Sequence, residues 1–515
     1  MGKIKQISLV KSSLTITAIM LIAKLISFAR DMVMANYLGA TELSDVILLS
    51  TSLLMAITSF VRSPFQAAYL PIATDVFILE KDEKKKGQFF GSVYGCAVIV
   101  GIIISAVIGL LLSDIVKVLA PGLSEEGKST LLTLMRIEIP VIIFSFLAAV
   151  NDGNLKLLNR FGISEISAAI LASVYIVYFF VVGESVSVTV LGIVVVSAYL
   201  LIFIFRYYVV VNGGIHYKWR FQFWKESNLK KIFFAMIPFF LATCATELNV
   251  IVDKAVASML SPGSITMQSY ASKITVTEVG LIATAISMVI YTQVAKDNTN
   301  ENKNALHKTV VSGISFVNTV MLPCCAFTVI FSYEIIKVLF GRGEFTIDSI
   351  MITANTMVIY AIGMFGAGME EIFTRTMHAT KHRKYPATVS IITVFLNTGL
   401  NLLLYRKFGI YGLAAASSFV LLIRVPLYYY YVNKYIVKFN FWTDIGKDLT
   451  KIILSTAVAC FAALTVKKLI GNMFHYSILV LLIGGVIGGC TYFAILLLLK
   501  NSFAIRAINK LLNKH

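Results

Sequence analysis

The sequence predicts an all-α polytopic membrane protein with about fourteen spans, and three observations carry that expectation. Hydrophobic residues make up 58% of the 515-residue chain, charged residues only 14%, and the mean hydropathy is +0.82; soluble domains do not have this composition. The apolar residues fall in runs of roughly 18–25, the length at which an α-helix crosses a ~30 Å hydrocarbon core. The runs are continuous, whereas strands of a membrane barrel would alternate apolar and polar residues.

The first run, 9–30, follows Lys3, Lys5 and Lys11 and lacks a small-residue cleavage site, so it reads as a retained helix rather than a secretory leader. The second, 42–79, is long and contains Pro64 and Pro71; each proline removes a backbone hydrogen bond, and the helix is expected to break near Pro64. Runs 88–113, 131–153 with Pro140, 164–182 and 186–211 follow. Then come 231–259 with Pro238, 265–295, 308–332 with Pro323, 349–372, 386–405 and 411–433 with Pro426. Two further runs, 448–470 and 476–499, close the chain. Gly399, with Asn397 and Asn401, marks a close helix crossing, since glycine permits near approach and amides bond across helices.

An internal echo organises these spans. Asp31, Ala35 and Leu38 recur at one constant offset as Asp253, Ala257 and Leu260, and Arg160 and Ser167 recur as Arg383 and Ser390. This places span 1 over span 7 and predicts two pseudo-symmetric six-helix lobes, 1–215 and 216–440. A third part, 441–515, holds two more helices and a tail. Parallel repeats of this kind put a central site between like halves.

The net charge is +18. Most loop Lys and Arg fall on the side that also holds the N-terminus, including Lys81, the run Lys84–Lys86, Lys156, Arg160, the 218–231 cluster, Lys381 and Lys384. By the positive-inside rule both termini are then cytoplasmic, and the excess charge reflects topology and lipid headgroups rather than nucleic acid.

Among the cations inside apolar runs, a set of seven is singled out: Lys24, Arg30, Arg62, Arg136, Lys254, Lys273 and Arg424. A Lys or Arg at mid-bilayer costs roughly 2.5–3.5 kcal/mol even on lenient scales, so such residues face water or a partner. Together they imply a cationic interior suited to an anionic cargo, a phosphate or pyrophosphate gripped by Lys as a point charge and Arg as a fork. Lys24, Ser27 and Asp31 share one face of the first helix. Lys24, Arg30, Asp31, Asp45, Arg62 and Lys273 are the candidate headgroup-binding residues; the alternative is pairing such as Arg30–Asp253 or Asp31–Lys254. Glu247, Asp253, Glu278 and Glu370 are candidate carboxylates for coupling or gating, although Glu370 and Glu371 are placed at an exposed interface. Arg136 and Glu138 are expected to snorkel or to pair.

Enzymatic chemistry finds no support. The chain has no GxSxG, HExxH, Walker A or dinucleotide fingerprint, and no loop can hold a catalytic domain. The six cysteines lie in spans without metal spacing and read as packing residues. His378 and His382 sit in a basic loop and read as solvated. No metal and no cofactor is expected.

Several strings resemble one family. They are Ser27-Phe28-Ala29-Arg30-Asp31 with Tyr37-Leu38-Gly39-Ala40 and Ser44-Asp45, Phe65 through Pro71, and Ala120-Pro121-Gly122-Leu123. Leu158-Asn159-Arg160-Phe161, Leu339 through Thr346 (LFGRGEFT), and Leu396-Asn397 with Gly412-Leu413-Ala414 complete the set. In this order they resemble the MurJ/MviN branch of the multidrug/oligosaccharidyl-lipid/polysaccharide exporter superfamily, over residues 9–435. The resemblance implies a fourteen-helix, two-lobed transporter that flips lipid II, an undecaprenyl-pyrophosphate carrying a disaccharide-pentapeptide, by alternating access. It implies roles for Arg30, Asp31 and Asp45. Lys24 and Lys273 stand where the family has arginines, Ser272 where it has an acid, and Ile57 and Val276 where it has an arginine and a glutamate; Arg62 and Glu278 are the nearby replacements.

The expected function is therefore a flippase for an undecaprenyl-pyrophosphate-linked saccharide, lipid II first and another polysaccharide repeat unit second. A drug/cation antiporter, a ligase or polymerase of lipid-linked sugars, and a scaffold are the other readings. Expected partners are the lipid-linked saccharide, membrane lipids and cell-wall or polysaccharide synthesis enzymes. The protein is expected to be a monomer, and its coupling ion is left open among sodium, proton and chloride.

Overall fold

In a computed structural model the chain is built of helices joined by short turns. It describes residues 2–183, 185–218, 224, 226–382, 384–473, 477–501 and 503–505, with the side chains of 2–17, 241, 242, 245, 284, 285 and 471–473 excepted. Lys3, Lys5, Lys11, Arg383 and part of the 218–231 cluster lie outside the described side chains.

Helices α1 (Gly2–Leu38), α2 (Glu42–Leu79), α3 (Glu83–Leu119), α4 (Glu125–Leu157), α5 (Gly162–Val182), α6 (Val188–Asn212) and α7 (Ser227–Ser258) come first. Then follow α8 (Ser264–Thr299), α9 (Lys303–Ile330), a short α10 (Ser332–Phe340), α11 (Ile347–Ala379) and α12 (Lys384–Tyr435). A π-helical turn, Phe441–Gly446, leads into α13 (Lys447–Met473), and α14 (Ser477–Leu498) ends the series. Among the described residues, eleven helices are long and apolar enough to cross a bilayer. This is an all-α, multi-pass membrane architecture, as the composition predicts. α1 and α7 fall outside that count, and they carry Lys24, Arg30 and Asp31, and Glu247, Asp253 and Lys254, respectively.

Local chemistry sets the helix ends. Thr41 and Ser44 form a capping box at the start of α2; Asp82, Ser124 and Ser187 cap α3, α4 and α6; Thr346 caps α11. Glu42 takes the Ser124 N–H at 2.7 Å and its hydroxyl at 2.9 Å, which ties the α3–α4 turn to the head of α2.

The break expected near Pro64 does not occur. α2 runs unbroken from Glu42 to Leu79 with Pro64 and Pro71 inside it, because a proline removes one backbone bond while the flanking bonds continue the helix as a kinked rod. The break lies instead in α12, at Gly409, where φ is 56° and ψ −136°; it divides that element into the two spans expected from the sequence.

The chain forms two compact units, Met1–Ile265 and Thr266–His515. In the first, α2 packs on α4 and α7, α4 on α3 and α6, and α1 on α5, around Leu54, Tyr69, Phe89, Phe90 and Phe146. In the second, α11 packs on α12 and α9, and α13 on α14 and α9, around Val317, Met321, Met364, Phe373 and Tyr428. α7 thus belongs by packing to the first compact unit, while the repeat assigns it to the second lobe. Packing and repeat are different criteria, and the division at 215/216 stands as a proposal about duplication.

The α11–α12 crossing is close. A Cβ at Gly366 would stand 2.5 Å from the Leu421 carbonyl oxygen, on helix backbone that cannot rotate aside. Gly366→Ala is expected to force the two helices apart at about 1–3 kcal/mol. A lowered Tm of the full chain in detergent checks this, and an unchanged Tm contradicts it.

Candidate functional site

The first unit concentrates the charges. On α1, Lys24 is exposed and has no ion-pair partner among the described residues. Arg30 donates from Nε and Nη2 to Asp31 Oδ1 at 2.9 and 2.7 Å, and its guanidinium lies 5.6 Å from the centre of the Tyr175 ring on α5. Asp31 and Asp45 are both buried, and Asp45 Oδ2 accepts the backbone N–H of Gly263 at 2.7 Å. Lys254 is half-buried beside Asp253 on α7.

Arg62 lies in a denser constellation. On α2, Arg62 and Gln66 are one turn apart and face Asp152 and Lys156, one turn apart on α4. Arg62 Nη2 is ion-paired to Asp152 Oδ2. From α6, Arg206 Nη1 reaches Asp152 Oδ1 at 3.0 Å, and its Nε donates to Ser167 Oγ at 2.9 Å. Ser164 Oγ donates to Asp152 Oδ1 at 2.6 Å, and Lys156 Nζ donates to Gln66 Oε1 at 2.9 Å. Two arginines therefore share the Asp152 carboxylate, and Lys156 on Gln66 adds a third cation, leaving the cluster net positive. The burial is asymmetric: Arg206 and Asp152 are enclosed, whereas the Arg62 side chain keeps 44% of its surface open. An anion can approach Arg62 without disturbing the Arg206–Asp152 pair, and a phosphate oxygen matches the geometry of its fork.

Sequence reasoning found Arg62 but missed Asp152 and Arg206. Arg206 stands inside the 186–211 run, close to its end, and is not among the seven cations singled out there. The available signal was the i, i+4 spacing of Asp152 and Lys156.

Of the two outcomes expected for Arg136 and Glu138, the pair is not formed: Glu138 is buried, faces α2 and accepts a hydrogen bond from Ser50 Oγ, while Arg136 is exposed. One expectation is corrected. Glu370 is not an exposed interfacial carboxylate. Arg424 Nη1 donates to its two oxygens at 3.0 and 3.1 Å, Tyr428 OH donates at 3.4 Å, and Arg424 Nε donates to Thr393 Oγ1 at 2.9 Å. Arg424 thereby leaves the set of cations open to a cargo, since its half-buried guanidinium is already paired with a carboxylate.

The remaining candidates are dispersed. Lys273 is half-buried on α8, and Glu278 Oε2 accepts from Thr328 Oγ1 at 2.9 Å in the second unit. Glu247 and Asp253 are half-buried on α7 in the first. Glu371 pairs with Arg375 at 2.9 Å and accepts from Ser287 Oγ at 3.1 Å. His382 Nδ1 lies 3.1 Å from Thr380 Oγ1 and stacks on Tyr385. Among the described residues no cluster of His, Cys, Asp and Glu could hold a metal ion, and the six cysteines are unpaired.

A family model described as lipid II flippase MurJ matches residues 34–485. A probable lipid II flippase MurJ of Buchnera aphidicola subsp. Acyrthosiphon pisum is 26% identical over 526 residues, covering 98% of this chain and 99% of the relative. One from Rickettsia prowazekii is 23% identical over 431 residues, covering 83% of this chain and 84% of the relative. Among solved structures, a lipid II flippase MurJ in an inward closed conformation superposes with a TM-score of 0.81 at 21% identity, covering 96% of this chain and all of that one. An inward-facing multidrug resistance MATE family transporter superposes with a TM-score of 0.67 at 12% identity, covering 79% and 93%. These two superpositions establish a shared fold.

Proposed function

Because this chain belongs to the lipid II flippase MurJ family, and is thus a transporter rather than an enzyme, we propose that it carries lipid II from the inner to the outer leaflet by alternating access. The observation that supports this most directly is the net positive Arg62–Asp152–Arg206 cluster with its one open arginine. A diphosphate is the part of such a substrate that a cationic cluster recognises. Arg62, Arg30 and Lys24 are the proposed headgroup contacts of the first unit, with Asp31 and Asp45 setting their surroundings. Lys273, on α8, is a further proposed phosphate contact. A basic interior disfavours a drug/cation antiporter, whose cargo calls for acidic and aromatic walls.

The protein is a multi-pass membrane protein. Its placement in a bacterial cytoplasmic membrane is proposed from its family, and the cytoplasmic position of both termini from the Lys/Arg asymmetry of the loops. A net positive interior must reset after releasing an anion, which calls for an ion gradient or the membrane potential. Glu247, Asp253 and Glu278 are the proposed coupling carboxylates, sodium or proton being the ions they suit; Glu370 is a weaker candidate because Arg424 occupies it. A monomer acting beside cell-wall synthesis enzymes completes the reading.

The test is translocation of fluorescently tagged lipid II by the purified full chain in liposomes, read by reductant quenching of the outer leaflet. Flipping faster than in protein-free liposomes, with the lipid chemically unchanged, is the expected result. Rates equal to protein-free liposomes overturn the reading. A tagged undecaprenyl-pyrophosphate saccharide without the pentapeptide, run in parallel, tests the second cargo, for which Lys in place of Arg at 24 and 273 leaves room.

A further inference from the structure

At one end of the second unit, the first turn of α9 and the last turn of α12 enclose a concavity of about 390 Å³. Lys303 and His307 line it from α9, Asn433 and Lys434 from α12, and Lys438 from the segment that follows. None of the three lysines is ion-paired among the described residues. Lys434 Nζ donates to Tyr430 OH at 3.1 Å and lies 5.1 Å from the Tyr435 ring centre, contacts that position a cation without cancelling it.

The acids beside the pocket are fewer than these lysines, and the Asn433 amide has partners of its own. Asp444 takes the Asn440 N–H at 2.9 Å and lies 3.2 Å from His307 Nε2. Asn433 donates to Tyr429 OH at 3.0 Å and accepts the Phe439 N–H at 3.2 Å. Exposed Glu301, two residues before Lys303, and Asp444 are together outweighed by the three lysines and Lys308. The positive end of the α9 dipole adds to the same potential. Such a pocket selects an anion.

A second observation gives the depth. Trp442, in the π-helical turn beside the pocket, is 76% exposed, and Tyr430 and Tyr435 are 54% and 43% exposed. Exposed Trp and Tyr at the end of a span mark the headgroup level of a bilayer, where lysine clusters attract anionic lipid. We propose that this pocket binds a phosphate-bearing headgroup and that its source is an anionic phospholipid, of the inner leaflet on the topology proposed above. The site is separate from the transport residues and stands whether or not lipid II is the cargo.

The full chain in nonionic detergent, with Trp442 as its sole tryptophan (W219F/W224F), tests this by emission during titration. Dihexanoyl-phosphatidylglycerol is expected to produce a saturable change and dihexanoyl-phosphatidylcholine none. K303Q/K434Q/K438Q should weaken the phosphatidylglycerol response at least about tenfold, and K303R/K434R/K438R should restore it. The lysines are exposed, so the Tm and lipid II flipping of these variants should match the parent. Saturation by inorganic phosphate at the same concentrations would support the anion site and assign it to soluble phosphate. No saturable response, or equal affinity in the glutamine variant, overturns the proposal.

Discussion

Arg62→Gln is expected to lower lipid II flipping about 10–100-fold while leaving the fold intact. The loss corresponds to one or two charge-assisted hydrogen bonds to phosphate at about 1.5–3 kcal/mol in total. The fold should tolerate the change because Asp152 keeps Arg206 at 3.0 Å and Ser164 at 2.6 Å as partners, and the Arg62 side chain is 44% exposed. Arg62→Lys should recover part of the rate, since it restores charge but not the fork. Measurement is the liposome flipping rate together with the Tm in detergent. Parental flipping in Arg62→Gln would remove this cluster from the transport site.

The second large effect is on stability. Asp152→Ala is expected to cost about 3–5 kcal/mol, because it leaves the enclosed Arg206 guanidinium without its counter-charge. D152L/R206L should recover much of that loss, since two apolar side chains replace a buried pair without an orphaned charge. Thermal unfolding of the two variants beside the parent decides the point. Equal Tm values for Asp152→Ala and the parent would show that Arg206 finds water or another acceptor, and that the pair does not hold α4 against α6.

The two substitutions separate the roles within one cluster. Arg62 is the member open to a ligand, and Arg206–Asp152 is the fixed base beneath it. If Asp152→Ala abolished flipping at unchanged Tm, Asp152 would itself be part of the transport cycle, as an internal anion that the diphosphate replaces.

Much of this was legible in the amino-acid order. The apolar runs located every long helix, and the short segment 405–411 matches the Gly409 break in α12. The start of α2 is written in Thr41 and Ser44 and the start of α11 in Thr346, because capping is chemistry between near neighbours. The reading of Pro64 as a break failed because the penalty of one missing hydrogen bond is small against the packing of α2 on α4 and α7. Arg30 and Arg62 were recognisable as cations in apolar surroundings. Their partners were not, and neither was the burial of Arg206, since exposure near a helix end depends on what covers it.

By itself the sequence determined the fold class and the helical spans, and marked which spans carry cations. Hydropathy over one helix length and charge within it are local quantities, and transfer into hydrocarbon acts on each segment separately. Only the tertiary structure decided which charges cancel. Arg62 and Asp152 are 90 positions apart, Arg424 and Glu370 54, and helical periodicity says which face a residue occupies without saying which helix that face meets. That choice left Arg62 open and enclosed Arg424 against its carboxylate, although both are arginines inside apolar runs.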